Sequence, residues 1–184
     1  NTFRNKGRLT LTLITLTLGS ATFISVFNVR ASLSSTVEDM IKWFNCDTMF
    51  ALDRSYRADK VQSEAESIPG VTKTDVWIQL PTRLVRRDES ESGMIYMFAP
   101  TVRPDSLIVS PSLAEGRWLA PGDENAVVVP SALLIDEPEL ELGGDIVLKI
   151  DGDEHVFKIV GTFKGMAFLP IVYVNYDYIT KITN

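Results

Sequence analysis

Residues 9–29 read LTLTLITLTLGSATFISVFNV, a run without one charged side chain. At about 1.5 Å per residue, a helix of these 21 residues spans roughly 31 Å, the thickness of a bilayer's hydrocarbon core. The pattern then changes from continuous to periodic. Apolar side chains fall at Val26, Val29, Leu33, Val37, Met40 and Phe44, five steps over 18 residues, which is the helical repeat of about 3.6. The spacing predicts that the membrane helix continues outward over 30–44 as an amphipathic stalk, and an unbroken helix from Leu9 to Phe44 would reach roughly 54 Å. Ser35 and Glu38 also fit a capping box, which would break the helix and start another there. The apolar stripe of the stalk fits equally well with ordinary packing on the domain that follows.

Two other readings of the first segment stay open. Leu9–Leu18 followed by Gly19, Ser20 and Ala21 has the form of a signal peptide with its cleavage site, but the apolar run goes on through Phe23, Ile24, Val26 and Phe27. A buried helix of a soluble protein is the other, because Thr10, Thr12, Thr15, Thr17 and Thr22 lower the hydropathy. In a membrane helix those hydroxyls bond back to the helix carbonyls or across to a neighbouring helix.

Beyond the stalk the periods shorten. Thr48–Asp53 reads as a strand, and Ala58–Ile68 as a helix with Val61, Ala65 and Ile68 on one face, ended by Pro69 and Gly70. Val71–Arg87 alternates as an extended run, and the turn Asp88–Gly93 leads into a second, Met94–Phe98. That order predicts a split βαβ sheet with a helix on one face. From Ser106 to Gly161 come short β-branched runs, Ala126–Val129, Asp145–Ile150 and His155–Val160, with Asp151–Glu154 as a hairpin turn. They predict a small β-rich lobe at 106–164 inserted into an α/β lobe made of 45–105 and 165–184, an α+β chain overall. Ile171–Val174 gives a last strand, returning to the first sheet. Tyr176, Tyr178 and Ile179 are expected to begin the exit towards the membrane.

Charge sets the orientation. Arg4, Lys6 and Arg8 precede the apolar run with no acid among them, so the N-terminus is expected in the cytoplasm and everything after about residue 30 outside it. All 24 acids lie after residue 30, against 14 of the 18 basic residues. So acidic a surface argues against nucleic acid as a partner. The one cysteine, Cys46, excludes an internal disulfide and reads as a small buried residue in preference to a reactive thiol. A chain of 184 residues that starts at Asn1 without a methionine is expected to be a piece of a longer polypeptide.

Catalytic chemistry is hard to assemble from these residues. His155 is the one histidine, which leaves a zinc site or a serine-type triad without its usual parts. Asp151, Asp153 and His155 imitate the start of a calcium loop, but Val156 stands where glycine is needed and Thr162 where glutamate is needed. The acidic run Asp136, Glu137, Glu139, Glu141 and Asp145 reads as a solvated loop. Gly161 to Gly165 lacks the spacing of a phosphate loop. We therefore expect no enzyme, no metal and no cofactor. Met166, Phe168 and Leu169 are the contact candidates, three large apolar side chains in a predicted loop that would cover the seam between the lobes or form a partner-binding tip.

Asn1–Leu33, with its basic head and first membrane helix, resembles the start of an FtsX/MacB-like ATP-binding-cassette permease. Glu115–Trp118, Asn125–Val129, Leu142–Asp145 and Phe157–Gly161 resemble, in that order, pieces of the MacB-like periplasmic core domain. Gly116, Gly122 and Gly143-Gly144 suit turns, Trp118 buries area and Gly161 is expected to end a strand. The resemblance implies a porter-like α/β lobe with a smaller β-rich lobe, three further membrane helices after Asn184, and a bacterial plasma (inner) membrane location. It implies as partners an ABC ATPase subunit, a homo- or heterodimeric permease partner, and an extracytoplasmic accessory protein. The expected function is coupling of ATP-driven motion to export or mechanical work outside the membrane. The alternative is a signal-anchored receptor domain that senses a ligand.

Overall fold

The computed structural model describes residues 6–43, 46–54, 56–102, 112–164 and 170–183, with the side chains at 36 and 39–43 left out. The chain divides into two compact units after Lys42. Helix α1, Lys6–Trp43, 38 residues without a break, makes up the first and ends on the first residue of the second. Ser35 and Glu38 lie inside it, so the capping box is not used. The five threonine hydroxyls all donate to the carbonyl four residues back, from Thr10 to Lys6 at 2.9 Å through Thr22 to Leu18 at 2.8 Å. A polar group satisfied within its own helix needs no neighbour, which is what lets a threonine-rich helix remain apolar towards lipid. Its apolar side chains face outward, Leu16 and Phe23 among them, and Lys6–Ser35 has the length and hydropathy to cross a bilayer.

The second unit begins with a correction. The strand expected at Thr48–Asp53 does not form: described residues 46–54 carry neither helix nor strand, and Met49, Phe50 and Leu52 are exposed. Strand propensity stabilises a segment only where it has a neighbour to pair with, and no described strand pairs with this one. Helix α2 follows at Ala58–Glu66, with Gly70 at φ 98° beyond it. Val61 and Ala65 are half-buried, whereas Ile68 lies past the helix end and is exposed. The helix is tied to the following chain by Thr74, whose hydroxyl donates to Glu66 Oε1 at 2.8 Å.

Seven strands follow: β1 Ile78–Val85, β2 Ile95–Ala99, β3 Leu113–Gly116, β4 Ala126–Pro130, β5 Asp145–Ile150, β6 Asp153–Phe163 and β7 Ile171–Val174. Their order is β3-β6-β4-β7-β2-β1-β5, and β5 also pairs with β6. That second pairing closes six strands into a ring, where a split βαβ sheet was predicted. The length of β6 makes closure possible. Its first half lies antiparallel to β5, Ile150 opposite Asp153 through Asp145 opposite Lys158, and its second half lies parallel to β4. The other edge of β5 takes β1. Strands from 106–164 form one arc of the ring, β5-β6-β4 with β3 on the outer edge of β6, and those of the flanking segments form the other, β7-β2-β1; the arcs join at β5 against β1 and β4 against β7.

Alternation along the strands sets inside from outside. Leu84, Ile95, Met97, Val127, Val129, Ile146, Leu148, Phe157, Ile159, Val172 and Val174 fill the ring as one cluster. Each such side chain taken from water contributes roughly 1.5–3 kcal/mol. The neighbouring positions Tyr96, Phe98, Val128 and Tyr173 face the other way, into a second cluster with Leu119, Phe163 and Trp118. Hence β4 and β7 are buried on both sides.

Two short helices sit at opposite ends of the ring. Helix α3, Ser131–Asp136, continues directly from β4, and α4, Tyr176–Ile182, follows β7, which runs antiparallel to β4. Leu133 and Leu134 of one, and Ile179 and Ile182 of the other, pack onto the inner cluster. Tyr176, Tyr178 and Ile179, expected to begin the exit towards the membrane, lie in α4. Ile179 is fully buried, and the Tyr178 ring meets Phe157 edge-on at 5.7 Å. Asn175 starts the helix by accepting from the Asp177 amide at 2.9 Å, while its Nδ2 donates to the Ala120 carbonyl at 3.2 Å. Asn175→Ala should lower stability by about 1–2 kcal/mol through loss of the cap, read as a shift in a denaturant melt.

Candidate functional site

Three of the sequence pieces singled out above meet the fourth at residues 158–161 of β6. Gly116 ends β3 at φ 74°, and the Arg117 amide donates to the Val160 carbonyl at 3.0 Å. Asn125 accepts from the Lys158 amide at 2.6 Å, and the strand after it pairs with β6. Gly143 donates to the Ile159 carbonyl at 2.8 Å, and the Ile159 amide donates to Gly144 at 2.9 Å. Gly161 therefore does not end a strand, since β6 continues to Phe163. It lies where the backbone of Arg117 crosses β6: a Cβ there would stand 2.1 Å from the Arg117 carbonyl oxygen.

Beside that crossing sits a charged clasp. Arg117 donates from both terminal nitrogens to Asp123, at 2.6 and 3.0 Å, and the same carboxylate accepts from the Ala120 amide at 2.8 Å. The hydrogen bond from Arg117 is the main force holding the Asp123 carboxyl below its ordinary pKa, with burial opposing it. Trp118, next in the chain to Arg117, packs its ring 5.1 Å from Tyr173. The arrangement closes the 117–123 loop over the outer face of β7. It presents no nucleophile or base to a substrate.

A second charged group lies near α3. The Arg86 guanidinium grips Glu137 through Nε at 2.8 and 3.0 Å, and Arg87 reaches Glu139 at 3.5 Å. Glu91 accepts from Lys149 at 2.6 Å and from Arg83 at 2.9 Å. These bonds lower the Glu137 and Glu91 carboxyl pKa values, Arg86 acting on the first and mainly Lys149 on the second. The acidic run read as a solvated loop is thus partly ion-paired.

Acidification tests these pairs. In the folded chain Asp123, Glu137 and Glu91 hold their charge to lower pH than in the unfolded chain, so the unfolded chain takes up protons first as the pH falls. Their stabilising effect is complete above the ordinary carboxylate range of about 4 and is lost below it. Tm should therefore be flat from neutral pH to about 5 and drop below about 4, with a shallower drop in Asp123→Asn.

The other sequence candidates separate. His155 is half-buried on β6. Asp151 and Gly152, at φ 51° and 101°, form the two-residue turn between β5 and β6, which gives Asp151 a backbone role. Cys46, expected buried, is exposed. Among the described residues no three His, Cys, Asp or Glu side chains gather as a metal site. Met166, Phe168 and Leu169 lie outside the described residues. The local signal for the clasp is the Pro121-Gly122-Asp123 turn after Arg117-Trp118.

The family model described as MacB-like periplasmic core domain matches residues 9–183. The chain belongs to the MacB-like periplasmic core domain family. Among solved structures it is similar to the extracellular domain of the noncanonic ABC-type transporter YknZ from Gram-positive bacteria, at 14% identity and a TM-score of 0.51, over 70% of this chain and 67% of that one. The periplasmic region of MacB from Actinobacillus actinomycetemcomitans matches at 11% identity and a TM-score of 0.48, over 72% of this chain and 61% of that one. No curated protein matches. The likeness to YknZ shows a common fold. Within the family frame, the four converging pieces are the parts that knot the core domain together around β6.

Proposed function

We propose that this chain is the first membrane helix and extracytoplasmic domain of an ABC permease, carrying motion driven by a partner ATPase to the outer side of a bacterial plasma membrane. The observation that supports this most is α1: a continuous helix whose apolar part is long enough to cross a bilayer and which runs on to Trp43. At 1.5 Å per residue its 38 residues reach roughly 57 Å, well beyond the hydrocarbon core. An unbroken helix transmits an axial displacement without absorbing it, and a hinge or kink would absorb it. The basic residues Lys6 and Arg8 favour the cytoplasm for its start, which puts the core domain outside.

In this reading the closed ring is a firm body for α1 to act on, and ATP hydrolysis belongs to a separate ATPase subunit or domain. A second copy or a related permease chain, and an extracytoplasmic accessory protein, would complete the assembly. The receptor alternative asks for a concave pocket with polar anchors. Inside the ring the side chains are apolar instead, and the buried Thr82 hydroxyl is spent on the Lys149 carbonyl at 2.8 Å. The test is a helix-breaking substitution in the stalk of the parent transporter, with ATP hydrolysis and export measured separately.

A further inference from the structure

We draw no further inference here: the strongest candidate, the exposed apolar run of Met49, Phe50, Leu52 and Tyr56 between α1 and α2, is an unpartnered surface, and nothing in the described residues shows what covers it.

Discussion

Replacing Gly161 with alanine is expected to leave no folded core domain. The added methyl carbon would stand 2.1 Å from the Arg117 carbonyl oxygen, 3.0 Å from its carbonyl carbon and 3.1 Å from its nitrogen. All three are backbone atoms, so no side-chain rotation relieves the overlap. Arg117 is held there by its hydrogen bond to Val160 and by Asp123, and moving it would separate β3 from β6. We expect a loss above about 4 kcal/mol, a large share of a domain's stability. Circular dichroism and limited proteolysis would show a chain that keeps the α1 signal and loses the rest. Gly93→Ala is the control, since nothing lies within 4 Å of the added carbon and its φ is not positive. It should change stability by no more than about 0.5 kcal/mol.

The second large effect is on coupling. Val37→Pro in the full transporter should cut export by about tenfold or more while assembly and ATP hydrolysis persist. Proline removes one hydrogen bond of α1 and kinks it, at a helix cost of about 3 kcal/mol. Val37 is 53% exposed, so little packing is lost with its side chain and the backbone break dominates. Val37→Ala keeps the helix and should export normally. Export by the proline variant at the wild-type rate would rule out α1 as the transmitting element.

Local signals in the sequence located the local elements. The uncharged run of α1, and the β-branched runs at Ala126–Val129, Asp145–Ile150 and Ile171–Val174, sit where the structure has helix and strands. The non-local features were hidden. Closure of the ring depends on β5 meeting both β1 and β6, and nothing within residues 145–150 distinguishes an edge strand from one paired on both sides. Gly161 looked like punctuation because its reason, the crossing of Arg117, lies 44 residues earlier in the chain. The run Thr48–Asp53 has the composition of a strand and no described neighbour to pair with. In the tail, Asn175, two residues before Asp177, is the local start signal of α4.

The candidate site divides in the same way. The family pieces are visible as motifs with turn and packing roles, but their meeting point on β6 is a product of tertiary structure. The acidic run gave no hint of Arg86, 51 residues before Glu137.

Crosslinking the parent polypeptide in its native membranes, followed by mass spectrometry of the chains joined to it, tests the central claim most directly. The permease reading predicts an ABC ATPase subunit, or a parent chain that contains one. A parent joined instead to a kinase or other signalling module, with no ATPase of that class, would contradict it and establish the receptor.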